Sequence, residues 1–485
     1  MEKGNFKLSS SAWWLFLLPT LLLAFYRSVE LDITNDEAYS FKLVAELTRH
    51  FVPARNLMYG TANTHWLNSF FIFIEHHLLG DQVWMIRLHN VFALVLLFYA
   101  FYLLAKKEQS FLLFVLCCIF IPFNHYLFDF FSLARGYGLS LALEALAIAY
   151  IITDAKHYRQ RIYVLLSLGV LANYTLIYGL LVYGLLDLFY EWKEHGWRVF
   201  IQSVFYRNRW APMLLLLWAI PNIYYIKYIS CDLEEGQRNG FITDTLGVFL
   251  GRSWDVLSYP ATIAIGFIWL ASITLFYVFK RKGISEGWKK IMLSTFLIIL
   301  FIHVLYYGLH IPFPFGRTSF FLIVPLLLLL AFVVHQLMVP LSNPIQISLL
   351  SVLFLANFLY IFNYRNLRST LEWWMQQGMH EFVTDSYQTI GSSVKTASIS
   401  MSIDHWGVYH NYYQFIYPKQ TFDSVFVYDR FGYDVLSVEE KENMLRSDYL
   451  LLINNYTSFL QSNWKKPLPQ VLKQYPDMKS DWLKK

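Results

Sequence analysis

The sequence predicts a polytopic α-helical membrane protein with about eleven transmembrane helices and a small C-terminal extracytoplasmic α/β domain. The first observation is composition: hydrophobic residues make up 56% of the 485 residues and charged residues only 15%, whereas soluble globular proteins carry about 25% charge. The second is a succession of apolar runs of membrane-spanning length. The third is a change after position 363, where charge rises and the apolar runs shorten. These features exclude a soluble multidomain enzyme and a disordered chain.

The apolar runs are predicted to be helices, because only a helix satisfies its own backbone in lipid and about 20 residues cross the hydrocarbon layer. The predicted spans are 12–28, 83–105, 111–128, 137–153, 162–174, 177–190, 210–228, 259–280, 291–309, 318–339 and 346–363. The pair between 162 and 190 is short for two crossings and long for one. Phe25-Tyr26-Arg27 follows the first span where a signal peptide would have small residues, so we expect an uncleaved anchor.

The loops predict the orientation of these spans. Lysine and arginine accumulate in alternate loops, such as Lys280-Arg-Lys282, while the intervening loops are sparser in basic residues and often acidic, such as Asp232-Leu-Glu-Glu235. Basic loops stay in the cytoplasm. An odd number of spans after a cytoplasmic N-terminus then places the C-terminal tail outside.

We predict two domains, a transmembrane catalytic domain at 1–363 and a soluble extracytoplasmic α/β domain at 364–485. In the tail, alternating patterns and one apolar run predict strands at 396–402, 424–428 and 448–453. Helices are predicted at 372–390 and 406–417.

Charge and cysteine content narrow the functional classes. The net charge of +5 is small for this length and the basic residues lie between apolar runs, so the chain shows no nucleic-acid-binding patch. Three cysteines do not make a disulfide scaffold. Cys117, Cys118 and Cys231 are interpreted as free thiols in apolar surroundings.

Five polar residues distant in sequence are predicted to lie at the outer membrane face. Asp36 and Glu37 follow the first span, and His65 lies in the same loop. Arg135 and Arg317 precede the fourth and tenth spans. Charges near the membrane are costly and therefore mark functional sites. Carboxylates, cations and an imidazole together suit a general base acting beside a bound phosphate.

Structural roles are the alternative for these residues. Asp36 and Glu37 can form a solvated loop pair, or Asp36 can cap a helix that begins at Glu37. Arg135 and Arg317 can be interfacial anchors, Arg135 together with Tyr137 in an aromatic belt.

Several other polar residues are better interpreted as structural. A lone histidine such as His65 is more often a hydrogen-bonded structural residue than a functional one. His76 and His77 are adjacent and point to opposite sides of the backbone, so they do not form a zinc site. Arg87 is interpreted as an anchor where a juxtamembrane helix enters the second span. The long loop 229–258 is either a lid or an interfacial helix.

Six segments, in this order and at plausible spacing, carry a resemblance to a known family. They are Asn35-Asp-Glu-Ala-Tyr39, Thr64-His-Trp-Leu-Asn-Ser-Phe70, Leu79-Gly-Asp81, Arg87-Leu-His-Asn90, Leu133-Ala-Arg-Gly-Tyr137 and Pro314-Phe-Gly-Arg-Thr318. They resemble elements of GT-C glycosyltransferases in the dolichyl-phosphate-mannose protein mannosyltransferase branch, family 39. The family elements are an acidic Asp-Glu signature, His-Pro-Pro-Leu, Phe-Gly-Asp, Arg-Leu-Pro, Ala-Arg-Pro-Tyr and Glu-Arg-Tyr-Leu-Leu-Pro.

The resemblance covers most of 12–340, with departures. Trp66 and Leu67 replace two prolines, Gly136 replaces another, and Thr318 stands where tyrosine is usual. These departures bear on substrate fit more than on reaction class.

The resemblance implies a GT-C-like fold and an inverting transferase that moves a sugar from a polyprenyl-phosphate-linked donor to an acceptor hydroxyl on the non-cytoplasmic face. It implies that Asp36 acts as the base and that Glu37 orients Asp36 or the donor sugar. The residues expected to bind substrate are His65, Arg135, Tyr137 and Arg317.

No cofactor and no metal are required by this chemistry, in which the lipid-phosphate-linked sugar is the donor substrate. The expected partners are that donor, membrane lipids, and a protein, lipid or glycan acceptor. The expected location is a bacterial inner membrane with undecaprenyl phosphate as carrier, and an endoplasmic-reticulum membrane with dolichol is the alternative.

Two other functional classes make different predictions. A transporter or flippase of a lipid-linked glycan predicts polar groups near mid-membrane and broken helices in two matching halves. The other class is a non-catalytic scaffold that presents the tail to partners. In such a protein the acidic residues and arginines at the outer membrane face would have no role.

Overall fold

A computed structural model describes residues 13–50, 65–153, 158–206, 239–253, 258–280, 283–361, 398–416, 424–428 and 449–450, with single positions 370 and 380. By contacts, the chain divides into two units. The first comprises Met1–Ser28, Ala54–Phe71 and Ile86–Asn366, and the second comprises Val29–Pro53, Ile72–Met85 and Leu367–Lys485.

Most of the described residues are helical. The helices are α1 (Trp14–Glu30), α2 (Asn35–His50), α3 (Trp66–Leu79), α4 (Leu88–Glu108), α5 (Phe111–Phe120), α6 (His125–Asp129), α7 (Tyr137–Thr153), α8 (Tyr158–Ala172), α9 (Ile177–Tyr206), α10 (Val248–Ser253), α11 (Tyr259–Lys280), α12 (Glu286–Leu309), α13 (Phe320–Met338), α14 (Asn343–Ile361), α15 (Ile403–Val408) and α16 (Gln414–Ile416). Short 3₁₀ or π turns lie at Met85–Arg87, Tyr174–Leu176, Ile242–Gly247, Gly316–Ser319 and Tyr409–Tyr413. Helix α2 and the last two helices belong to the second unit, and α4 to α14 belong to the first.

Several of these helices have the length and composition of membrane spans. Within the described residues four qualify, at Met85–Glu108, Tyr259–Lys280, Glu286–Leu309 and Gly316–Met338, and the broken pair Trp14–Glu30 with Asn35–Ala45 is a fifth candidate. Shorter apolar helices coincide with the predicted spans at 137–153 and 346–363. The predicted span 210–228 lies outside the described residues, so the total of eleven stays a prediction.

The predicted single span at 111–128 is divided in two. Helix α5 ends at Phe120, just before Pro122, whose missing N–H disfavours helix continuation. Asn124 then begins α6, where its side chain accepts hydrogen bonds from the backbone of Tyr126 and Leu127 at 3.1 and 3.3 Å.

The uncertain pair at 162–190 forms two helices. Helices α8 and α9 are joined by a 3₁₀ turn, and the Asn173 side chain accepts a hydrogen bond from the Thr175 backbone at 3.3 Å. Helix α9 is itself interrupted at Gly196, where φ is 76°. The polar residue in the middle of this apolar stretch therefore marks a helix start.

Helix α7 is the centre of the first unit. It packs against α4, α8, α12 and α13, and nearly all of its residues are buried. Ala142, Ala145 and Ala149 recur at helical spacing and let neighbouring helices approach closely. Cys117 and Cys118 lie buried as free thiols in α5.

The second unit contains a small parallel sheet. Strands β1 (Ser398–Ser402), β2 (Ser424–Tyr428) and β3 (Tyr449–Leu450) are arranged in the order β2-β1-β3. In β1, Ile399 lies opposite Val425 on one side and Tyr449 on the other. All three strands coincide with predicted strand patterns. The predicted helix 406–417 begins earlier, at Ile403, and nearly all of 372–390 lies outside the described residues.

The second unit is formed by three stretches of the chain, of which the C-terminal one begins at Leu367. Val29–Pro53 and Ile72–Met85 join that unit as well. Helix α2 packs there against the helical segment 403–416. The predicted domains at 1–363 and 364–485 stay predictions.

Candidate active site

The turn that carries Arg135 is held by buried amides from two other segments. Asn68 donates from its side chain to the carbonyl of Ala134 at 2.9 Å, and Asn90 donates to that of Leu133 at 2.9 Å. Asn90 also accepts from the backbone N–H of Leu139 at 3.0 Å. Both asparagines are fully buried. Buried polar groups that are satisfied in this way fix the backbone, so three of the family-like segments meet at the Arg135 turn.

Two arginines flank the ring of Tyr137 in the first unit. The guanidinium carbons of Arg135 and Arg317 lie 5.8 and 6.0 Å from the ring centroid. Arg135 is fully buried and Arg317 half-buried. Guanidinium groups over an aromatic face are stabilised by cation–π attraction, which here places two positive charges around one ring.

His65 packs on the same tyrosine. Its ring centroid lies 4.7 Å from that of Tyr137 in an edge-on arrangement, and the side chain is buried. Within the described residues, neither ring nitrogen of His65 forms a hydrogen bond of normal geometry. Burial holds the pKa of His65 well below its usual 6.5, and the positive charges of Arg135 and Arg317 lower it further. The backbone carbonyl of Ala172 raises the pKa and so offsets part of this shift. The imidazole is therefore neutral and does not add a third cation.

A further arginine, Arg252, joins this aromatic cluster and was missed in the sequence. Its Nη1 donates to the hydroxyl of Tyr126 at 2.9 Å, and its guanidinium carbon lies 5.4 Å from the ring centroid of Phe315. It lies in the last turn of α10, inside the long loop 229–258, whose described part is largely helical. A single arginine after an apolar run forms no pattern with other polar residues, so the sequence gives no signal for it.

Edge-to-face ring contacts connect these arginines. Tyr126 packs on Phe320 at 5.4 Å, and Tyr137 packs on Phe130 at 5.1 Å and on Phe320 at 5.9 Å. We call Arg135, Arg252, Arg317, Tyr126, Tyr137 and His65 the arginine cluster. Its three permanent cations suit a multiply charged oxyanion such as a phosphate.

Other buried arginines in this unit are structural. Arg27 forms a buried ion pair with Asp129, and Arg87 donates to the carbonyl of Ser28 at 3.0 Å near the end of α1. The latter contact agrees with the predicted anchoring role of Arg87.

The acidic pair belongs to the second unit. Thr34 and Glu37 form a capping box at the start of α2, in which Glu37 Oε2 accepts from the Thr34 N–H at 2.9 Å and Thr34 Oγ1 accepts from the Glu37 N–H at 3.2 Å. The alternative that Asp36 caps a helix beginning at Glu37 is therefore wrong, because the helix begins at Asn35. Glu37 is buried, and Asp36 is half-buried in the first turn.

The C-terminal segment packs on α2. A Cβ at Gly407 would lie 2.2 Å from Asn35 Oδ1, which leaves room only for glycine unless Asn35 moves. Lys42 Nζ lies 3.0 Å from His410 Nε2, and the ring of Phe41 packs on Tyr412 at 5.3 Å. The segment that carries Asp36 is thus supported by residues from near the C-terminus.

The histidine pair has local partners. His76 bonds to Asp81, and His77 Nδ1 lies 2.7 Å from the carbonyl oxygen of Phe73. Across the described residues, no group of three or more His, Cys, Asp or Glu is arranged to hold a metal ion.

Comparison with known proteins shows similarity to solved structures. No family model and no curated protein sequence matches the chain. The chain is similar to the structure of ArnT from Cupriavidus metallidurans in the apo state, with a TM-score of 0.50, 10% identity, and coverage of 86% of this chain and 90% of that chain. ArnT bound to undecaprenyl phosphate aligns over the same shares, with 10% identity and a TM-score of 0.45. At this identity, the first of these likenesses shows a shared fold.

Proposed function

We propose, from the GT-C fold that this chain shares with ArnT, that the protein transfers a sugar from a polyprenyl-phosphate donor to an acceptor hydroxyl. The observation that carries the proposal is the arginine cluster, in which Arg135 and Arg317 flank Tyr137 and Arg252 bonds to Tyr126. A phosphate leaving group held at a membrane interface needs preorganised cations, and the arginine fork matches its oxygens.

An apolar groove beside the cluster supports a lipid-linked donor. The groove has a volume of about 210 Å³ and is lined by Ile119, Phe120, Asn124, Phe249, Leu250, Ile265, Ile268, Trp269, Ser272, Leu327, Leu330 and Asn357. Phe249, which lines the groove, packs on the ring of Tyr126 at 6.2 Å, and the Tyr126 hydroxyl accepts the hydrogen bond from Arg252. A polyprenyl chain in this groove would therefore have its phosphate end near a guanidinium group.

The proposed reaction is a direct displacement at the anomeric carbon. The acceptor oxygen forms a bond to that carbon, the bond from the carbon to the phosphate oxygen breaks, and the phosphate leaves with the electron pair. We assign Asp36 as the base that takes the hydroxyl proton, on its place in the acidic motif and in the first turn of α2. Glu37 fixes that turn through the capping box, and the inverted product follows from attack opposite the phosphate.

The neutral His65 imidazole is assigned to hydrogen bonding with the donor rather than to charge neutralisation. Tyr137 orients both arginines through its ring. Neutralisation of the leaving phosphate by three guanidinium groups makes a metal unnecessary in this scheme. The acceptor is a hydroxyl group of a protein, lipid or glycan, and we place the reaction on the non-cytoplasmic face of a bacterial inner membrane.

The experiment is transfer from a panel of radiolabelled undecaprenyl-phosphate sugars by purified protein in lipid. Wild type transfers sugar to an acceptor in a membrane extract, whereas Asp36→Asn loses roughly 10²- to 10⁴-fold in rate, as expected for a positioned base. Asp32→Asn, in the same loop, is the matched control and keeps the rate. A folded Asp36→Asn protein with near wild-type transfer would disprove the role of Asp36.

A transporter or flippase of a lipid-linked glycan is the second candidate, because Glu144 lies buried at mid-length of α7. Intramembrane carboxyl groups often mark transport pathways. Movement of a labelled carrier across vesicles without sugar transfer would favour this candidate over the transferase.

A further inference from the structure

A small cavity lies at the end of the first unit opposite the arginine cluster. It has a volume of about 40 Å³, and its lining includes Ile151, Tyr163, Tyr183, Asp187, Tyr190 and Lys290. Tyr137, in the arginine cluster, begins α7, whereas Ile151 lies near its end. At a rise of 1.5 Å per residue, the two are about 21 Å apart along the helix axis.

The cavity combines an anion, a cation and aromatic walls. Asp187 Oδ2 accepts a hydrogen bond from the Tyr163 hydroxyl at 2.8 Å. Lys290 Nζ lies 5.3 Å from the ring centroid of Tyr190. Asp187 and Lys290 are half-buried, while Tyr163 and Tyr183 are buried. A carboxylate can accept several hydrogen bonds at once and an ammonium can donate three, so each group can bond to a ligand alongside its protein partners.

We propose that this cavity binds the headgroup of a phospholipid that carries a primary amine, as phosphatidylethanolamine does. The lipid's ammonium bonds to the Asp187 carboxylate within the tyrosine walls, where a cation is also attracted to aromatic faces. Its phosphate bonds to Lys290 at the rim. Opposite charges in one cavity thus match the two charges of the zwitterionic headgroup.

The size of the cavity selects between amine headgroups. A water molecule needs roughly 10–15 Å³ of cavity volume, so a cavity of about 40 Å³ admits an ammonium group with a little water. A choline headgroup adds three methyl groups around the nitrogen, each close in size to a water molecule. It also has no N–H to donate to Asp187. The cavity therefore favours ethanolamine over choline.

The flanking surface suits a lipid rather than a soluble amine. On α9, Leu185 and Phe189 flank Leu186 and Asp187, and they are 65% and 50% exposed. Exposed apolar side chains beside a charged cavity provide contact area for acyl chains. A lipid whose headgroup enters from the side would lay its chains along this face.

The test is native mass spectrometry of the detergent-purified full chain with equal amounts of phosphatidylethanolamine, phosphatidylcholine and phosphatidylglycerol. We expect wild type to retain phosphatidylethanolamine about 10-fold more than the other two, as for one well-placed charged hydrogen bond. Lys290→Gln weakens retention of all three lipids, because each carries a phosphate, whereas Asp187→Asn abolishes the preference for phosphatidylethanolamine. Lys289→Gln, which alters the neighbouring lysine that pairs with Glu286, is the matched control and leaves it intact.

Equal retention of phosphatidylethanolamine and phosphatidylcholine by wild type would overturn the proposal without any variant. So would an unchanged preference in a folded Asp187→Asn protein. Tyr163→Phe removes only one hydroxyl and serves where Asp187→Asn does not fold. We expect it to weaken the preference, because the Asp187 carboxylate loses its orienting donor, and an unchanged preference would again count against the site.

Discussion

Gly136 packs directly against the backbone carbonyl of Ala172, so that a β-carbon at position 136 would lie only 1.9 Å from that oxygen. The same β-carbon would lie 3.1 Å from Cβ of His65. Gly136 lies between Arg135 and Tyr137 in sequence. Its contact with the Ala172 backbone therefore fixes the positions of these two residues relative to His65. The glycine that departs from the proline of the resembling family is required here by packing, since proline also carries a β-carbon.

The first prediction concerns this contact. Gly136→Ala should lower the free energy of unfolding by about 1–3 kcal/mol, because the neighbour is backbone and cannot rotate away. It should also reduce sugar transfer by displacing Arg135. Thermal unfolding in detergent and the transfer assay measure the two effects. In the control Gly308→Ala, an added β-carbon meets nothing within 4 Å, and stability should not fall. Equal thermal midpoints for the two variants would contradict the packing argument.

The second prediction concerns Arg252. If this arginine holds the donor phosphate, Arg252→Ala should raise the KM for the donor about 10- to 100-fold, as for loss of one hydrogen bond between charged groups. Arg252→Lys should recover only part of this loss, because lysine keeps the charge but lacks the planar fork. Steady-state kinetics over a range of donor concentrations provide the measurement.

Arg161→Ala is the matched control for Arg252. Arg161 also stacks on a tyrosine, with its guanidinium carbon 5.1 Å from the ring centroid of Tyr150, but it lies outside the arginine cluster. Its removal should leave the donor KM unchanged. If both alanine variants behave alike, the effect of Arg252 is not specific to the donor.

The sequence predicted much of the helical architecture, because runs of about 20 apolar residues require helices in lipid. The four described helices of full membrane-spanning length all coincide with predicted spans. The sequence also placed Arg135 and Arg317 just before helices, and the structure brings both to Tyr137. Their roles in substrate binding stay predictions.

Other features depend on tertiary contacts that leave no periodic signal. Asn68 and Asn90 lie inside two of the family-like segments, but neither their spacing nor that of Arg252 shows that these residues support the arginine cluster. The break after α5 could have been predicted, since Pro122 lies inside the proposed span. The capping box also follows a known pattern, Thr34-x-x-Glu37, which explains the burial of Glu37 without catalysis.

The third prediction concerns Glu144. Its carboxyl group is buried in α7, and within the described residues Oε1 has no hydrogen-bond partner. A buried carboxyl oxygen without a hydrogen-bond partner is costly. Glu144→Gln keeps the volume and removes the ionisable group, so its thermal midpoint should equal or exceed that of wild type. Glu144→Ala should be less stable because it leaves a cavity.

Glu286→Gln controls for a general effect of losing a carboxylate, since the side chain of Glu286 is 78% exposed. Its midpoint should stay near wild type. A Glu144→Gln protein less stable than Glu144→Ala would show that the carboxyl group makes a contact that glutamine cannot replace. That outcome would also strengthen the transporter alternative.

The fourth prediction is a pH dependence that comes from His65. Because burial and the two arginines hold its pKa in the folded protein well below 6.5, the unfolded chain binds a proton near pH 6.5 that the folded chain does not. The contribution of the neutral His65 ring to the unfolding free energy is therefore fully present above pH 6.5 and is lost as the pH drops below that value. The loss from this one group reaches up to about 1.4 kcal/mol per pH unit.

His65→Gln removes the titrating ring, so its unfolding free energy should decline less steeply than that of wild type between about pH 6.5 and 5. Denaturant unfolding in detergent at several pH values gives the two slopes. His77→Gln is the matched control for exchanging a histidine for glutamine, because the His77 ring is exposed and lies outside the arginine cluster. If His65→Gln and wild type have the same slope, His65 is protonated in the folded protein, and its assignment as a neutral hydrogen-bonding partner of the donor is wrong.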